Sequence, residues 1–155
     1  MTNADDYRRV MRNLASGVTV VSAVHDQDLF GMTATAFTSV SLEPMLVQVS
    51  LDTTSRTHDA VRSSGMYGVN ILAEDQIELA RSFAEAGIER FEDIDYRLGE
   101  TGLPLLNGAI GTLECRVTQQ IPSGDHTIFV GELLYGDSND RPPLIYFQGG
   151  YRGLS

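Results

Sequence analysis

The chain has 155 residues, the size of a single domain, and 42% of them are apolar, which is enough for a packed core. Its net charge of −10 at pH 7 argues against a general nucleic-acid or membrane-surface binder, because both present negative charge. The sequence contains no lysine, which excludes a Schiff base, so an anionic ligand must be held by arginine, backbone N–H groups or hydroxyls.

The chain begins with a predicted helix and a buried strand. Four apolar side chains in residues 5–16 share one helical face, and Gly17 can end the helix. The β-branched run over residues 18–24 is apolar on both faces and predicts a buried strand, which a turn at residues 25–28 follows. Residues 30–40 can form another strand, although their small hydroxyl side chains give weak hydrophobic alternation.

The middle of the chain predicts two strands with a short helix between them. Residues 46–51 alternate between apolar and polar side chains, as in a half-buried strand. Ser55 or Thr57 can cap a helix that stops at Gly65. Alternation resumes at residues 67–71, which predicts the second strand.

The second half of the chain predicts one more helix and then strands. Residues 74–86 show helical spacing of their apolar side chains, and Gly87 can end this helix. Residues 88–108 are interrupted by glycines and a proline and are predicted to be irregular. Further strands are predicted over residues 110–118, 127–135 and 144–147.

Strand segments outnumber the helices, and no repeat or inter-domain linker interrupts the sequence. The economical fold is therefore one domain over residues 1–155, mainly β with flanking helices, built as a closed or nearly closed antiparallel barrel, because closure removes sheet edges. Cys115 lies on the apolar side of its strand, so we expect it to be buried. The single cysteine and the lack of a signal peptide or a bilayer-spanning apolar run lead us to expect a cytoplasmic protein.

Residues 33–41 pack five hydroxyls into nine residues, separated mainly by small side chains. The alanines would let a flat ligand approach the backbone, while hydroxyls and N–H groups meet its polar edge. The alternative is an ordinary strand rich in threonine and serine, which composition alone favours.

Residues 52–58 follow a strand and open a predicted helix. A helix N-terminus offers N–H groups without partners and a positive dipole end, to which Ser55 and Thr57 add donors. Arg56 adds a guanidinium fork suited to phosphate, which makes this the best anion site in a lysine-free chain. Simple capping of the helix by Ser55 or Thr57 is an equal alternative.

Two later segments carry polar or aromatic groups. His126 follows Gly124 and Asp125 at a turn, where it can contact a ligand or carry a proton, or be a surface histidine only. Aromatic residues and an arginine in residues 146–152 can stack on a ring and pair with a phosphate, or form an edge strand and a frayed tail. The isolated histidines indicate no metal site, and the motifs of serine hydrolases and Rossmann cofactor sites are missing.

The order of these segments along the whole chain resembles the flavin reductase family, which has the flavin-binding split-barrel fold and is the small component of two-component monooxygenases. The segments that carry the resemblance are residues 17–21, 31–41, 55–58, 68–72, 83–84, 90–91, 113–115, 124–126, 131–132, 143–147 and 151–152.

The resemblance implies an antiparallel split β-barrel and a homodimer with two sites for FMN or FAD near the subunit interface. It implies that the flavin phosphate is bound by Ser55, Arg56 and Thr57, and that Phe83 and Ala84 close over the cofactor. The isoalloxazine and ribityl chain would be lined by Thr33, Ala34, Thr35 and Ala36, with Ser50, Leu51 and Asp52 beside them. The residues that would help to receive the nicotinamide nucleotide are His126, Tyr151 and Arg152.

The implied reaction is hydride transfer from C4 of NADH, or of NADPH, to N5 of the flavin, with reduced flavin passed to a flavin-dependent monooxygenase. Nicotinamide and flavin supply the reactivity, so the implied catalytic role of His126 is to assist the reaction rather than to be required for it. Many relatives carry a proline at Met45 and a basic residue near residues 148–150, and the neutral segment here favours NADH over NADPH. Three alternatives stay open: a split-barrel flavoprotein that keeps its flavin and reduces another acceptor, a non-enzymatic flavin-binding protein, and a structural β-barrel module.

Overall fold

Strands dominate the fold in the computed structural model, which describes residues 2–85 and 91–154. The helices are α1 (Ala4–Met11), α2 (Arg56–Ser64) and α3 (Ile77–Ala84). The strands are β1 (Ser16–Gly17), β2 (Thr19–His25), β3 (Asp28–Ala34), β4 (Phe37–Ser41), β5 (Leu46–Asp52), β6 (Met66–Ile71), β7 (Tyr96–Leu98), β8 (Pro104–Leu106), β9 (Gly111–Ser123), β10 (His126–Ser138), β11 (Ile145–Phe147) and β12 (Gly150–Arg152).

The main sheet is antiparallel and has the strand order β3-β2-β6-β9-β10-β5-β4. Side chains from β2, β3, β5, β6, β9, β10 and α2 meet in one buried cluster, so the sheet closes around a common core. The edge strands β3 and β4 follow each other in the chain but do not pair with each other, so the barrel is split between them. The prediction of a mainly β, antiparallel split barrel with flanking helices is confirmed.

A second buried cluster explains why β2 is apolar on both faces. Val21 faces the barrel core, whereas Val20 and the preceding Val18 pack into a cluster that also contains Phe83 of α3 and Leu144. Both faces of β2 are therefore covered, as its β-branched sequence predicts. Smaller sheets of β1-β11-β12 and β7-β8 lie beside the barrel.

Several local predictions are confirmed. Ser55 caps α2, and Gly65 ends it in the left-handed region at φ 74°, which glycine adopts without strain. Cys115 is fully buried, and burial raises the pKa of its thiol to about 12. No helix within residues 2–85 and 91–154 is long and apolar enough to cross a membrane.

Other local predictions differ from the structure. The first helix ends at Met11 rather than near Gly17, and residues 30–40 form parts of two strands instead of one. The prediction that residues 88–108 are irregular is wrong for β7 and β8, which pair with each other. The buried Glu114 carboxylate accepts the N–H groups of Glu100 and Thr101, and this long-range contact holds the turn between them. Gly87 and Arg90 lie outside the described residues.

Candidate functional site

A cavity of about 460 Å³ opens at the N-terminus of α2, and we call it the α2 cavity. One wall is apolar, with Leu29, Phe30 and Met32 of β3 and the ring of Phe83. The turn that joins β5 to α2 supplies polar lining residues. The remaining lining residues are Gly31, Thr33, Asp52, Thr54, Ser55, Arg56, Thr57, Ala84 and Glu85.

The first turn of α2 supplies the donors of this cavity. Ser55 Oγ accepts the N–H of His58 at 3.0 Å and lies 3.2 Å from Met32 Sδ, to which its hydroxyl can donate. Ser55 is therefore the cap of the helix, the role that the sequence left as an equal alternative to phosphate binding. The positive end of the α2 dipole lies at this end of the cavity, and Arg56 lines it as well.

The turn before α2 is held by Asp52. The N–H and the hydroxyl of Thr54 both donate to Asp52 Oδ1, at 2.8 and 2.7 Å, and they hold the pKa of this carboxyl below its ordinary value. Thr53 donates its N–H and its hydroxyl to the carbonyl of Asp125, at 3.0 and 3.2 Å. These two hydrogen bonds attach the turn to Asp125, which lies in the connection between β9 and β10.

Gly31 lets an aromatic ring approach the backbone of β3. A Cβ atom at this position would lie 2.7 Å from Phe83 Cε1 and 3.2 Å from Phe91 Cε2, both shorter than ordinary contacts. The rings of Phe83 and Phe91 pack at 5.2 Å between centroids, and Tyr96 follows at 5.3 Å from Phe91. The three rings pack at tilted and edge-on angles, and of the three only Phe83 lines the α2 cavity.

The predicted ring-lining residues do not all face the same cavity. Thr33 lines the α2 cavity and donates its hydroxyl to the carbonyl of Ala80, whereas Ala34 is buried in the core. Thr35, Ala36 and Ser50 line a second cavity of about 580 Å³ beside β4, which we call the β4 cavity. Residues 33–36 therefore contribute to the lining of both cavities.

Leu51 is fully buried and packs into the barrel core, so it offers a ligand only its backbone. Sequence periodicity places Leu51 and Asp52 together at the strand end, but the pleat directs their side chains to opposite faces. Asp52 accordingly lines the α2 cavity while Leu51 does not.

The residues predicted to receive the nicotinamide nucleotide lie at two places. His126 is the register partner of Asp52 on the adjacent strand, and its Nδ1 lies 2.7 Å from Asp125 Oδ1. Tyr151 packs against Tyr146 at 5.4 Å, and burial raises the pKa of the Tyr151 hydroxyl. Arg152 stacks over the ring of Phe147 at 5.1 Å, in a cation–π contact.

Two residues of the site were not assigned a role from the sequence. His58 is buried behind the α2 turn, where its ring contacts Thr127, and nothing in the spacing of the two residues indicates that they meet. Gly31 carried a usable signal, because a glycine inside a strand marks a close approach by another group. Within the described ranges, no three histidine, cysteine or acidic side chains gather as metal ligands would.

Comparison with known proteins decides the family. The sequence model of the flavin reductase like domain matches residues 11–155. The chain belongs to the flavin reductase family. An NADH-dependent flavin reductase of a Rhodococcus species is 41% identical over 150 residues, which are 95% of this chain and 84% of that protein.

Other members of the flavin reductase family extend the comparison. The reductase component of a 4-nitrophenol 4-monooxygenase/4-nitrocatechol 2-monooxygenase from Rhodococcus opacus is 38% identical over 144 residues, which are 93% of this chain and 77% of that protein. A solved structure of an NADH:FAD oxidoreductase from Streptomyces globisporus, in complex with NAD and FAD fragments, is 34% identical. It superposes with a TM-score of 0.94 and covers 99% of this chain and 93% of that one.

Proposed function

We propose that this chain uses NADH to reduce FMN or FAD and supplies the reduced flavin to a partner monooxygenase. The observation that carries the proposal is the α2 cavity, which joins an apolar and aromatic wall to a cationic helix N-terminus. This donor set fits a flat ligand with a phosphate at one end. Relatives named as an NADH-dependent flavin reductase and as a monooxygenase reductase component support the same activity.

The proposed flavin site follows the chemistry of the two cavities. Arg56, Thr57 and the dipole of α2 bind the phosphate, and Ser55 contributes mainly by fixing the first turn of the helix. Phe83 and Ala84 cover the ligand from α3. The ring and ribityl chain contact Thr33, Thr35 and Ala36, with Ser50 and Asp52 beside them. Ala34 and Leu51 are core residues, so they contribute through their backbone.

The protein contributes to the reaction by positioning the flavin and the nicotinamide. The flavin and the nicotinamide supply the hydride chemistry when they are bound, and the chain positions them and neutralises their phosphates. His126 lies on the strand beside the α2 turn, and its Nδ1 lies 2.7 Å from the carboxylate of Asp125, which can accept a hydrogen bond there. His126, Tyr151 and Arg152 are proposed to receive the nicotinamide nucleotide.

NADH is the proposed reductant in preference to NADPH. Residues 148–150 carry no basic side chain, so the additional phosphate of NADPH finds no compensating charge in that segment. The kinetic constants kcat/KM for the two nucleotides measure this preference directly. A higher value for NADPH would contradict the proposal.

We also propose that the chain is a homodimer. Helix α1 has no buried residue, and its apolar side chains Tyr7 and Val10, together with the following Leu14, are exposed to solvent. An amphipathic helix stabilises itself by covering its apolar face, and a second copy would provide that cover. Sedimentation velocity tests this, and a monomer at micromolar concentration would contradict it.

The decisive experiment is NADH oxidation in air, followed by the loss of nicotinamide absorbance with and without added FMN or FAD. Oxidation that depends on added flavin and saturates with it supports a reductase that uses flavin as a substrate. A purified protein that retains a coloured flavin and needs none added would favour the alternative split-barrel flavoprotein. Stable NADH and stable NADPH in the presence of either flavin would refute the activity.

A further inference from the structure

The imidazole of His58 connects the N-terminus of α2 to the strand that begins at His126. His58 lies in the first turn of α2, where its backbone N–H donates to Ser55 Oγ. Its side chain is only 4% exposed, and Nε2 lies 2.7 Å from the hydroxyl oxygen of Thr127, the residue after His126. One residue therefore contacts both the cap of the helix and the strand that carries His126.

The partners of the ring define how it is held. Nδ1 lies 2.9 Å from Asp59 Oδ1, and a carboxylate can only accept, so Nδ1 carries a hydrogen. Nε2 and the hydroxyl of Thr127 lie within hydrogen-bond distance, and a hydroxyl can either donate or accept there. The ring also meets Phe129 edge-on, with 5.4 Å between centroids. A buried ring with contacts on three sides has a single orientation.

A second contact joins the same two segments nearer to solvent. Thr53 donates twice to the carbonyl of Asp125, as described above. The segment that carries the proposed phosphate donors is thus attached at two points to the segment that carries His126. Of these two points, the contact between His58 and Thr127 is the buried one, so it is the less exposed to competition from water.

We propose that His58 and Thr127 are a positioning pair that fixes the anion-binding turn of α2 relative to His126. The inference rests on the proposed function, in which the turn receives the flavin phosphate and His126 receives the nicotinamide nucleotide. Neither His58 nor Thr127 is among the residues that line the α2 cavity or the β4 cavity, so the pair acts through its neighbours.

Breaking such a pair should lower the rate of hydride transfer more than it weakens the binding of either ligand. Each ligand keeps its own contacts when the pair is broken, but the two ligands are no longer held in a fixed relation. Misplacement by 1 Å can slow a reaction by roughly a hundredfold, and we expect the loss of this one hydrogen bond to displace the ligands by less than that. We expect about a tenfold loss of the saturated rate, with flavin affinity changed by about twofold at most.

The test uses the isosteric variant Thr127→Val, which removes the hydroxyl and keeps the shape of the side chain. Anaerobic single-turnover mixing with NADH measures the rate at which oxidised flavin loses its absorbance, at saturating concentrations of both ligands. Flavin fluorescence quenching gives the flavin Kd separately, and thermal unfolding verifies that the variant is folded. The conservative variant Thr127→Ser retains the hydroxyl and should recover most of the rate.

A matched control is available on the neighbouring strand. The hydroxyl of Thr118 donates to the carbonyl of Val130 within the sheet and lines neither cavity. Thr118→Val should therefore keep the saturated rate even if it lowers the melting temperature. Equal loss of rate in Thr118→Val and Thr127→Val would overturn the proposal, because it would reflect loss of stability alone.

Further outcomes separate this inference from the proposed function. If the unaltered protein shows no flavin-dependent NADH oxidation, the proposed function fails, and the positioning pair fails with it. If the unaltered protein is active and a folded Thr127→Val variant is equally fast, only the positioning pair is refuted. A weakened flavin Kd with an unchanged saturated rate would also refute it, because the pair would then serve binding.

A double variant tests whether the two residues act as a unit. His58→Phe and Thr127→Val each remove the same contact, because neither replacement can form the hydrogen bond, so the combined variant should be no slower than the slower single variant. Losses that multiply in the double variant would show independent roles and would contradict a pair.

Discussion

Replacement of Arg56 by alanine tests the phosphate end of the α2 cavity. Arg56 is the only cation among the described residues that line this cavity, and Asp52 and Glu85 line it as well. A charge-assisted hydrogen bond contributes about 1.5–3 kcal/mol, which corresponds to roughly a ten- to hundredfold change in Kd. Arg56→Ala should therefore weaken FMN binding by about this factor.

Riboflavin provides the matched ligand, because it has the same ring and ribityl chain as FMN but no phosphate. Its Kd should change by no more than about twofold in Arg56→Ala, the usual size of an exposed substitution. Fluorescence quenching titrations with both ligands give the two values under one set of conditions. The ratio of the two Kd values isolates the phosphate contribution from any change in the fold.

Arg62→Ala is the control variant, since it removes the same charge from the last turn of α2 outside the cavity. It should leave the binding of FMN and of riboflavin unchanged. The assignment is refuted if Arg56→Ala weakens both ligands equally, or if Arg62→Ala weakens FMN as much as Arg56→Ala does. In either case the arginine would not contact the phosphate.

Further predictions concern the frame around the site. Gly31→Ala should cost about 1–3 kcal/mol of stability by overpacking, whereas Gly17→Ala, whose Cβ meets nothing within 4 Å, should leave the melting temperature unchanged. Ser55→Asp should keep the helix cap and the melting temperature but weaken FMN binding through its charge, in contrast to a cap-removing Ser55→Ala. Glu114→Gln should lower the free energy of unfolding in urea by about 1–3 kcal/mol, because its amide donors would oppose backbone N–H donors. The pKa of Asp52 is lower in the folded than in the unfolded protein, so its ionised carboxylate stabilises the fold above the unfolded pKa of about 3.9. This stabilisation is lost as the pH falls through the folded pKa. Asp52→Asn should therefore lower the melting temperature at neutral pH and leave it unchanged in strong acid.

Sequence patterns predict an element correctly where the contacts that stabilise it lie within one short segment. The strand β5 was predicted from its alternation, and the helix α2 from a capping serine and a terminal glycine. The family was identified from the order of short segments along the whole chain, and the match over residues 11–155 confirms it. The cationic helix N-terminus was also predicted, since every element of it lies within residues 52–58.

Features that depend on distant residues were missed or misplaced. β7 and β8 lie in a segment that contains Gly99 and Gly102, and the turn between the two strands donates to the carboxylate of the distant Glu114. The sequence predicts residues 33–36 as one ligand-lining set, yet Ala34 is buried and the other three residues line two different cavities. A strand pattern gives the alternation of faces but not what each face will meet.

The sequence by itself determined the family, the mainly β class, the caps of α2 and the position of the turn that is proposed to bind an anion, because these depend on short segments. Only the tertiary structure decided the strand order β3-β2-β6-β9-β10-β5-β4, the division of the site into two cavities, and the contact between His58 and Thr127. His58 and Thr127 are 69 residues apart in the chain. Their meeting is set by the pairing of β5 with β10 around a common core, and that packing is a property of the whole chain rather than of any segment.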